Sequence, residues 1–242
     1  MKEQSRQEKI SEFNKNNKPF YLTDHKDEIS LCYVINPTPH ETSWFCQRIF
    51  NLYAESVGDP VKENGLFTHG SGYEWEFAFR KLFENDPNIG KLSFDSEAGG
   101  FFCYGRDVDM MADFGHRFRE ICKDEAAFFY LICKAIPEGE RMTAESIRLS
   151  KTFKGFLMSN PGAAVDLKTP QGRIHVSADM NEKLLDGTLT KVLGDGFYMD
   201  AEELLNMKVE QKNRDLFDEN HYQVAVDYFE DQEIAEDFNI TM

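Results

Sequence analysis

The sequence predicts an α+β fold, in which a small antiparallel sheet is packed by amphipathic helices and a second, smaller α+β unit follows. Three observations lead to this class. Short runs such as "ISLCYVI" alternate in the way that half-buried strands do. Longer segments repeat apolar residues at helical spacing, most clearly behind Ser71. The strand and helix patterns start again after "PEGERMT", so the chain of 242 residues is expected to hold two units.

The first segments are expected to form an arm, a strand pair and a helix. Residues 1–18 are charged and rich in Asn and Lys, which indicates a flexible polar arm. "FYL" is expected to pair with "ISLCYVI" across the polar turn between them. In "HETSWFCQRIFNLYAESVG", apolar side chains share one helical face, and Gly58 is expected to end the helix. The residues of this face are Phe45, Ile49, Leu52 and Tyr53.

The helix that begins near Ser71 gives the clearest signal. Ser71 and Glu74 match the S-x-x-E capping box, in which each side chain bonds a backbone N–H group at the helix N-terminus. The residues behind them place apolar side chains at i, i+3, i+4, i+7 and i+8, so Trp75 is predicted to lie in the core. The apolar stripe consists of Trp75, Ala78, Phe79, Leu82 and Phe83.

A hairpin is predicted for "KLSFDSEAGGFFCYG". With Phe94 pointing inward, Asp95 is expected to point outward and Glu97 to lie in or beside the turn. Gly99 or Gly100 is expected to take a positive φ in that turn, because glycine adopts it without steric strain.

The predicted domain boundary follows two further helices. Asp107 or Asp109 is expected to cap the first of them. "PEGERMT" at 137–143 is interpreted as a linker, so that 19–136 forms the first domain and 144–242 the second.

The second unit is expected to contain a hairpin, a later strand and an acidic end. In "AVDLKTPQGRIHV", Pro170 and Gly172 are expected to form the turn. "YQVAVDY" alternates as a strand does. The last 28 residues contain nine Asp and Glu and neither Lys nor Arg, which defines an acidic segment at 215–237.

The charge restricts the partners. The formal net charge is −16, and it is divided evenly: residues 1–140 hold 16 Lys and Arg against 24 Asp and Glu, and the remainder 11 against 19. Nucleic-acid binding requires clustered cations and is not expected. An acidic surface suits a basic protein partner through complementary fields. The alternative is that the charge only keeps the protein in solution.

Cysteine usage and hydropathy indicate a cytoplasmic protein. The five cysteines are odd in number and form no C-x-x-C pair, so they are expected to be reduced thiols. The polar N-terminus contains no apolar stretch, and no signal peptide is expected. The longest apolar run is too short to span a bilayer, so no membrane partner is expected either.

Several short motifs resemble catalytic or metal sites but lack their required partners. "DFG" lies in a helical stripe without the other kinase motifs, and "HETSW" lacks the second histidine of a zinc helix. "GSGYEW" lacks the third glycine and the lysine of a phosphate loop, so a capped loop is favoured over an anion site. The six histidines are scattered. We therefore expect no catalytic residue, cofactor or metal.

The carboxylates of the predicted hairpin have two interpretations. General acid catalysis requires a raised pKa, which comes from burial beside apolar walls. Asp95 and Glu97 are predicted to be exposed instead. Exposed carboxylates suit contact with a basic partner, or hydrogen bonds to backbone N–H groups of the turn. We favour these two roles over catalysis.

Three segments in order, "ISLCYVI", "GSGYEWEFAFRKLFE" and "KLSFDSEAGGFFCYGRDVDMMADFGHRFREIC", resemble the immunity protein 51 family of bacterial polymorphic toxin systems. The similarity covers about residues 19–136, and F-D-S-E-A-G-G-F-F is its most specific part. Residues 140–242 depart from this pattern and resemble no family known to us. By resemblance, the family's motif positions are Gly70, Gly72, Trp75, Phe94, Asp95, Glu97 and Gly99.

The resemblance implies a small cytoplasmic protein that neutralises a cognate toxin by binding it without catalysis. The candidate partner-binding residues are Asp95, Glu97, Tyr73 and Glu74. The acidic surface would meet a basic toxin, for which a nuclease is one example. The alternative is an intracellular enzyme or small-ligand sensor with its site between the two units.

Overall fold

The chain folds as an α+β protein, which confirms the predicted fold class. The structure is a computed structural model, and it describes residues 4–35, 44–215 and 218–229. The chain divides into two compact units, Met1–Glu140 (unit 1) and Arg141–Met242 (unit 2).

Unit 1 is built on a four-stranded antiparallel sheet with strand order β1–β2–β6–β5. A two-stranded ribbon, β3 and β4, precedes the capped helix α3. The elements are α1 (Arg6–Asn16), β1 (Tyr21–Asp24), β2 (Ile29–Val34), α2 (Gln47–Val57), β3 (Lys62–Glu63), β4 (Leu66–Phe67), α3 (Gly72–Leu82), a 3₁₀ turn (Ile89–Lys91), β5 (Ser93–Phe94), β6 (Gly100–Gly105), α4 (Val108–Lys123) and α5 (Glu125–Lys151), whose residues from Arg141 onward belong to unit 2.

Trp75 lies in the centre of the core of unit 1, as its helical spacing predicts. Its side chain is 1% exposed. Within the described residues its ring meets six other aromatic rings at centroid distances between 4.9 and 6.1 Å. These are Phe20, Tyr33, Phe45, Phe50, Phe118 and Phe128. Aromatic rings that meet at such distances contribute edge and stacking contacts beyond their buried area.

The prediction of a flexible arm over 1–18 is wrong for the residues that form α1. Ser5 and Glu8 form a complete capping box at its N-terminus. Phe13 is buried and lies against Gly115 of α4, where an added Cβ would come within 2.5 Å of its ring. Asn14 donates to and accepts from the backbone of Leu22, which occupies hydrogen-bonding groups of edge strand β1.

The two units divide between Glu140 and Arg141, within the predicted linker over 137–143, and these residues continue helix α5. Pro137 is accommodated within the helix. Gly139 is buried for a packing reason, since a Cβ there would lie 2.2 Å from the ring of Phe77. Leu52, predicted to face the core, is 39% exposed, whereas Gly58 ends α2 at φ 86° as expected.

Unit 2 contains a four-stranded sheet of order β11–β12–β7–β8. Strand β12 runs parallel to β7, and the other neighbours are antiparallel. The predicted hairpin forms as β7 and β8, and one face of the sheet packs on the helices. The elements after α5 are α6 (Phe153–Ser159), β7 (Ala164–Thr169), β8 (Gly172–Val176), α7 (Ala178–Leu185), β9 (Lys191–Leu193), β10 (Tyr198–Asp200), α8 (Ala201–Leu205), β11 (Lys208–Arg214) and β12 (His221–Asp227).

Candidate functional site

The hairpin of β5 and β6 presents Asp95 and Glu97 on the surface of unit 1, as predicted. Backbone bonds close its turn: Glu97 N–H donates to Gly100 O at 2.9 Å, and Gly100 N–H donates back at 3.1 Å. Neither Gly99 nor Gly100 has a positive φ, so that expectation was wrong. The reciprocal backbone hydrogen bonds between Glu97 and Gly100 close this turn without a positive φ at either glycine.

The carboxylates of this hairpin do not stabilise its turn. The side chain that does so is Ser96, whose Oγ accepts the N–H of Phe102 at 3.3 Å. Among the residues that the structure describes, the carboxylates of Asp95 and Glu97 make neither a hydrogen bond nor an ion pair. They are therefore available to another molecule.

Gly72 fixes the hairpin to the N-terminus of α3. Its N–H donates to Ala98 O at 3.3 Å. A Cβ at this position would lie 2.0 Å from Gly100 O and 2.2 Å from Glu97 O, so only glycine allows the two backbones to approach this closely. Tyr73 follows Gly72 directly and is 49% exposed, which places it beside the turn.

The prediction that Glu74 contacts a partner is wrong, because its side chain is fully buried. One oxygen, Oε1, is bonded to Nδ1 of His69. The other, Oε2, accepts the N–H groups of Gly70 at 2.5 Å and Ser71 at 2.8 Å, and the Ser71 hydroxyl at 3.2 Å. The glycine-rich entry to α3 does hold an anion, but that anion is the chain's own carboxylate.

His69 is held between two carboxylates. Nε2 lies 3.1 Å from Oδ2 of Asp59, on the opposite side of the ring from Glu74, and the ring is packed edge-on to Tyr53. Burial alone would lower the pKa of His69, but the hydrogen bonds and charges of Glu74 and Asp59 raise it to about 8. The imidazolium form is therefore the one that this network stabilises.

We predict that unit 1 loses stability as the pH rises from 6.5 to 9. The folded-state pKa of His69 lies above its ordinary value of 6.5. Its contribution is therefore complete below pH 6.5 and is lost as the pH passes through about 8. The shift corresponds to roughly 2 kcal/mol of unfolding free energy. Urea unfolding at a series of pH values measures it.

The matched variant for this prediction is His69→Gln. It keeps a hydrogen-bonding side chain but removes the titrating group, so its unfolding free energy should fall less between pH 6.5 and 9 than that of the wild type. Cysteine thiols titrate in the same range, and the difference between the two proteins removes their contribution. An equal pH dependence in both proteins would show that another group is responsible.

The other residues at the family's motif positions are Gly70, Phe94 and Gly99. Gly70 has φ 106°, a left-handed conformation that favours glycine, and the side chain of Gln47 packs against it while donating to His69 O at 2.8 Å. Phe94 is half-buried, with the Arg80 guanidinium 3.9 Å from its ring centroid. Gly99 has open space around its Cα.

Unit 2 brings together a cluster that the sequence did not indicate. Asp166 bonds His175 Nδ1 at 2.8 Å and His221 Nε2 at 2.9 Å. The parallel pairing of β12 with β7 places His221 near Asp166, and no local pattern predicts that pairing. In the described parts of the chain, no group of three or more His, Cys, Asp and Glu is arranged to hold a metal ion. The acidic segment 215–237 lies partly outside the described residues.

None of the helices that the structure describes has the length and hydrophobicity needed to cross a membrane. Comparison with protein-family models finds that unit 1 is similar to an immunity protein family, and such families in general imply a cognate toxin as partner. The matching model is Imm51, immunity protein 51, over residues 20–136, which agrees with the resemblance seen in the sequence. Comparisons with curated proteins and with solved structures gave no match.

Proposed function

We propose that this chain binds and neutralises a basic toxin, and that Asp95, Glu97 and Tyr73 belong to the contact surface. The observation that carries the proposal is the position of the two carboxylates. Both are exposed and unpaired within the described residues, on a hairpin that Gly72 fixes to the core. A partner therefore meets charges whose position is already defined, which reduces the conformational entropy lost on binding.

The charge of the chain supports a basic partner. A formal charge of −16 produces a field that attracts cations and accelerates association with a basic protein. A nuclease-type toxin is one such protein, because a site that binds phosphate is rich in Lys and Arg. We propose that neutralisation occurs in the cytoplasm and consists of binding that blocks the toxin, without catalysis by this chain.

The first experiment identifies the toxin. The tagged chain is used to capture proteins from its source organism, and mass spectrometry identifies the partner, here called the recovered toxin. The recovered toxin is then expressed in an indicator strain with and without this chain. Growth restored by the chain supports the proposal, and growth arrest that the chain does not relieve contradicts it.

We predict that the double variant Asp95→Lys with Glu97→Lys remains folded but no longer protects the indicator strain. The variant reverses two exposed charges that make no described contact, so its melting temperature should stay close to that of the wild type. Surface plasmon resonance with the recovered toxin should show slower association and a changed salt dependence.

The matched control is Glu55→Lys with Glu63→Lys. These carboxylates are also exposed and unpaired in the described residues, and the net charge changes by the same amount. The control should protect as well as the wild type. If the hairpin variant melts normally and still protects, the contact surface lies elsewhere on the chain.

A further inference from the structure

The sheet of unit 1 has an aromatic outer face. Alternate residues of its strands point away from the core, and four of them form what we call the outer face: Tyr21, Val34, Phe102 and Tyr104. The three rings are half-buried, and Val34 is 43% exposed. A patch that combines aromatic rings with an exposed apolar side chain is typical of a contact surface.

The register of the sheet explains how these rings are held. Cys32 lies between Tyr21 and Phe102, and Ser30 is paired with Tyr104. Ser30 and Cys32 point outward but are only 2% and 4% exposed. His25 helps to cover Ser30, because its Nε2 lies 2.9 Å from Ser30 Oγ and its ring meets that of Tyr104 at 6.2 Å, whereas Val34 stays open to solvent.

Three carboxylates surround the outer face. Glu28, Asp95 and Glu97 are exposed, and in the described chain their side chains make no ion pair. Their charges act at the phenol of Tyr104: burial raises its pKa most, and the charges of Cys32, Asp95, Glu28 and Glu97 raise it further. An aromatic centre with an anionic rim is the complement of a cationic surface.

We propose that the outer face is the surface that contacts the toxin, and that it receives arginine side chains of the toxin on its rings. This inference rests on the proposed function and adds to it the contact face and the chemistry of the partner. A guanidinium stacks on an aromatic face and pairs with a carboxylate at the same time. The neighbouring hairpin already shows this geometry, with Arg80 on the ring of Phe94 at 3.9 Å.

The charges on and around the outer face argue against other occupants. A second copy of this chain would bring the same three carboxylates against each other, and nucleic acid would bring phosphates against them. At one end of the face, Tyr104 and Glu28 line a cavity of about 640 Å³ together with Lys91 and Arg106. Side chains of both charges line the cavity. We therefore assign the toxin's arginine to the aromatic rings of the outer face and not to the cavity.

The experiment places a cation on the outer face without removing any core contact. Val34→Arg places a cation on the face at the last residue of β2 and repels a basic partner, while the exposure of Val34 makes the fold tolerant of the change. The matched control is Val57→Arg on α2, where the same side chain is 50% exposed. Both variants are titrated with the recovered toxin by calorimetry, and both are tested for protection.

The expected result is that Val34→Arg raises the Kd by roughly 30-fold or more, the effect of a residue that carries much of the binding free energy, whereas Val57→Arg leaves the Kd unchanged. Tyr104→Ala should weaken binding similarly, and Tyr104→Phe, which retains the ring, should bind as the wild type does. If the wild type protects and the variants Val34→Arg and Tyr104→Ala protect equally well, the outer face is not the contact surface. If the wild type does not bind the recovered toxin, the proposed function itself is overturned.

Discussion

Replacing Trp75 with alanine is expected to lower the unfolding free energy of unit 1 by about 3–5 kcal/mol, the range for truncating a buried aromatic residue. The side chain is 1% exposed and meets six rings, so the cavity would open in the centre of the core. Those rings come from separate segments, and they cannot all move inward without losing other contacts.

Urea unfolding followed by circular dichroism measures this loss, and hydrogen exchange of the amides of β6 assigns it to unit 1. The control is Tyr73→Ala on the same helix, whose side chain is 49% exposed and whose loss should change the free energy by about 0.5 kcal/mol or less. A Trp75→Ala protein that unfolds at the wild-type urea concentration would show that the ring is not central to the core.

Prediction from sequence succeeded where a local pattern has one structural explanation. The capping box of Ser71 and Glu74 and the apolar spacing behind it describe α3 correctly, including the burial of Trp75. The same pattern did not show that Glu74 is buried, so its assignment to a partner surface was wrong. The capping-box pattern gives the hydrogen bonds of its glutamate but not its burial, and only the fold shows that His69 and Gly70 enclose this one.

The helices at Arg6–Asn16 and over 137–143 were missed for a common reason. Both segments are polar, and polarity alone favours a loop. Two residues of α1, Ile10 and Phe13, are enough to bind it to the core, because Gly115 leaves space for the ring of Phe13. At Gly139 the glycine accommodates the ring of Phe77 and does not break the helix. Each glycine has a partner more than 60 residues away in sequence, which no local window contains.

The candidate surface was only partly predictable. Alternation in "ISLCYVI" and "FFCYG" indicates which side chains share a face of each strand. It does not indicate that Tyr21 and Phe102 flank Cys32, because strand order and register are set by tertiary packing. The exposure of Asp95 and Glu97 was predicted correctly, but their position beside this aromatic face required the fold.

Gly72→Ala is expected to lower the unfolding free energy of unit 1 by roughly 3 kcal/mol or more. This value is the upper end of the usual cost of overpacking a core. The new Cβ would lie 2.0 Å from Gly100 O and 2.2 Å from Glu97 O. Both atoms belong to backbone, so no side-chain rotation relieves the overlap and the hairpin must move away from α3. Thermal melting of the variant beside the wild type measures the loss.

Gly99→Ala is the control from the same hairpin, since Gly99 has no positive φ and nothing within 4 Å of an added Cβ. It should melt close to the wild type and should still protect against the recovered toxin. Gly72→Ala should lose protection even at temperatures where it remains folded, because the hairpin that moves is the one that presents Asp95 and Glu97. If a folded Gly72→Ala protein still gives full protection, recognition of the toxin does not depend on the position of the hairpin. The carboxylates would then act only through the overall charge of the chain.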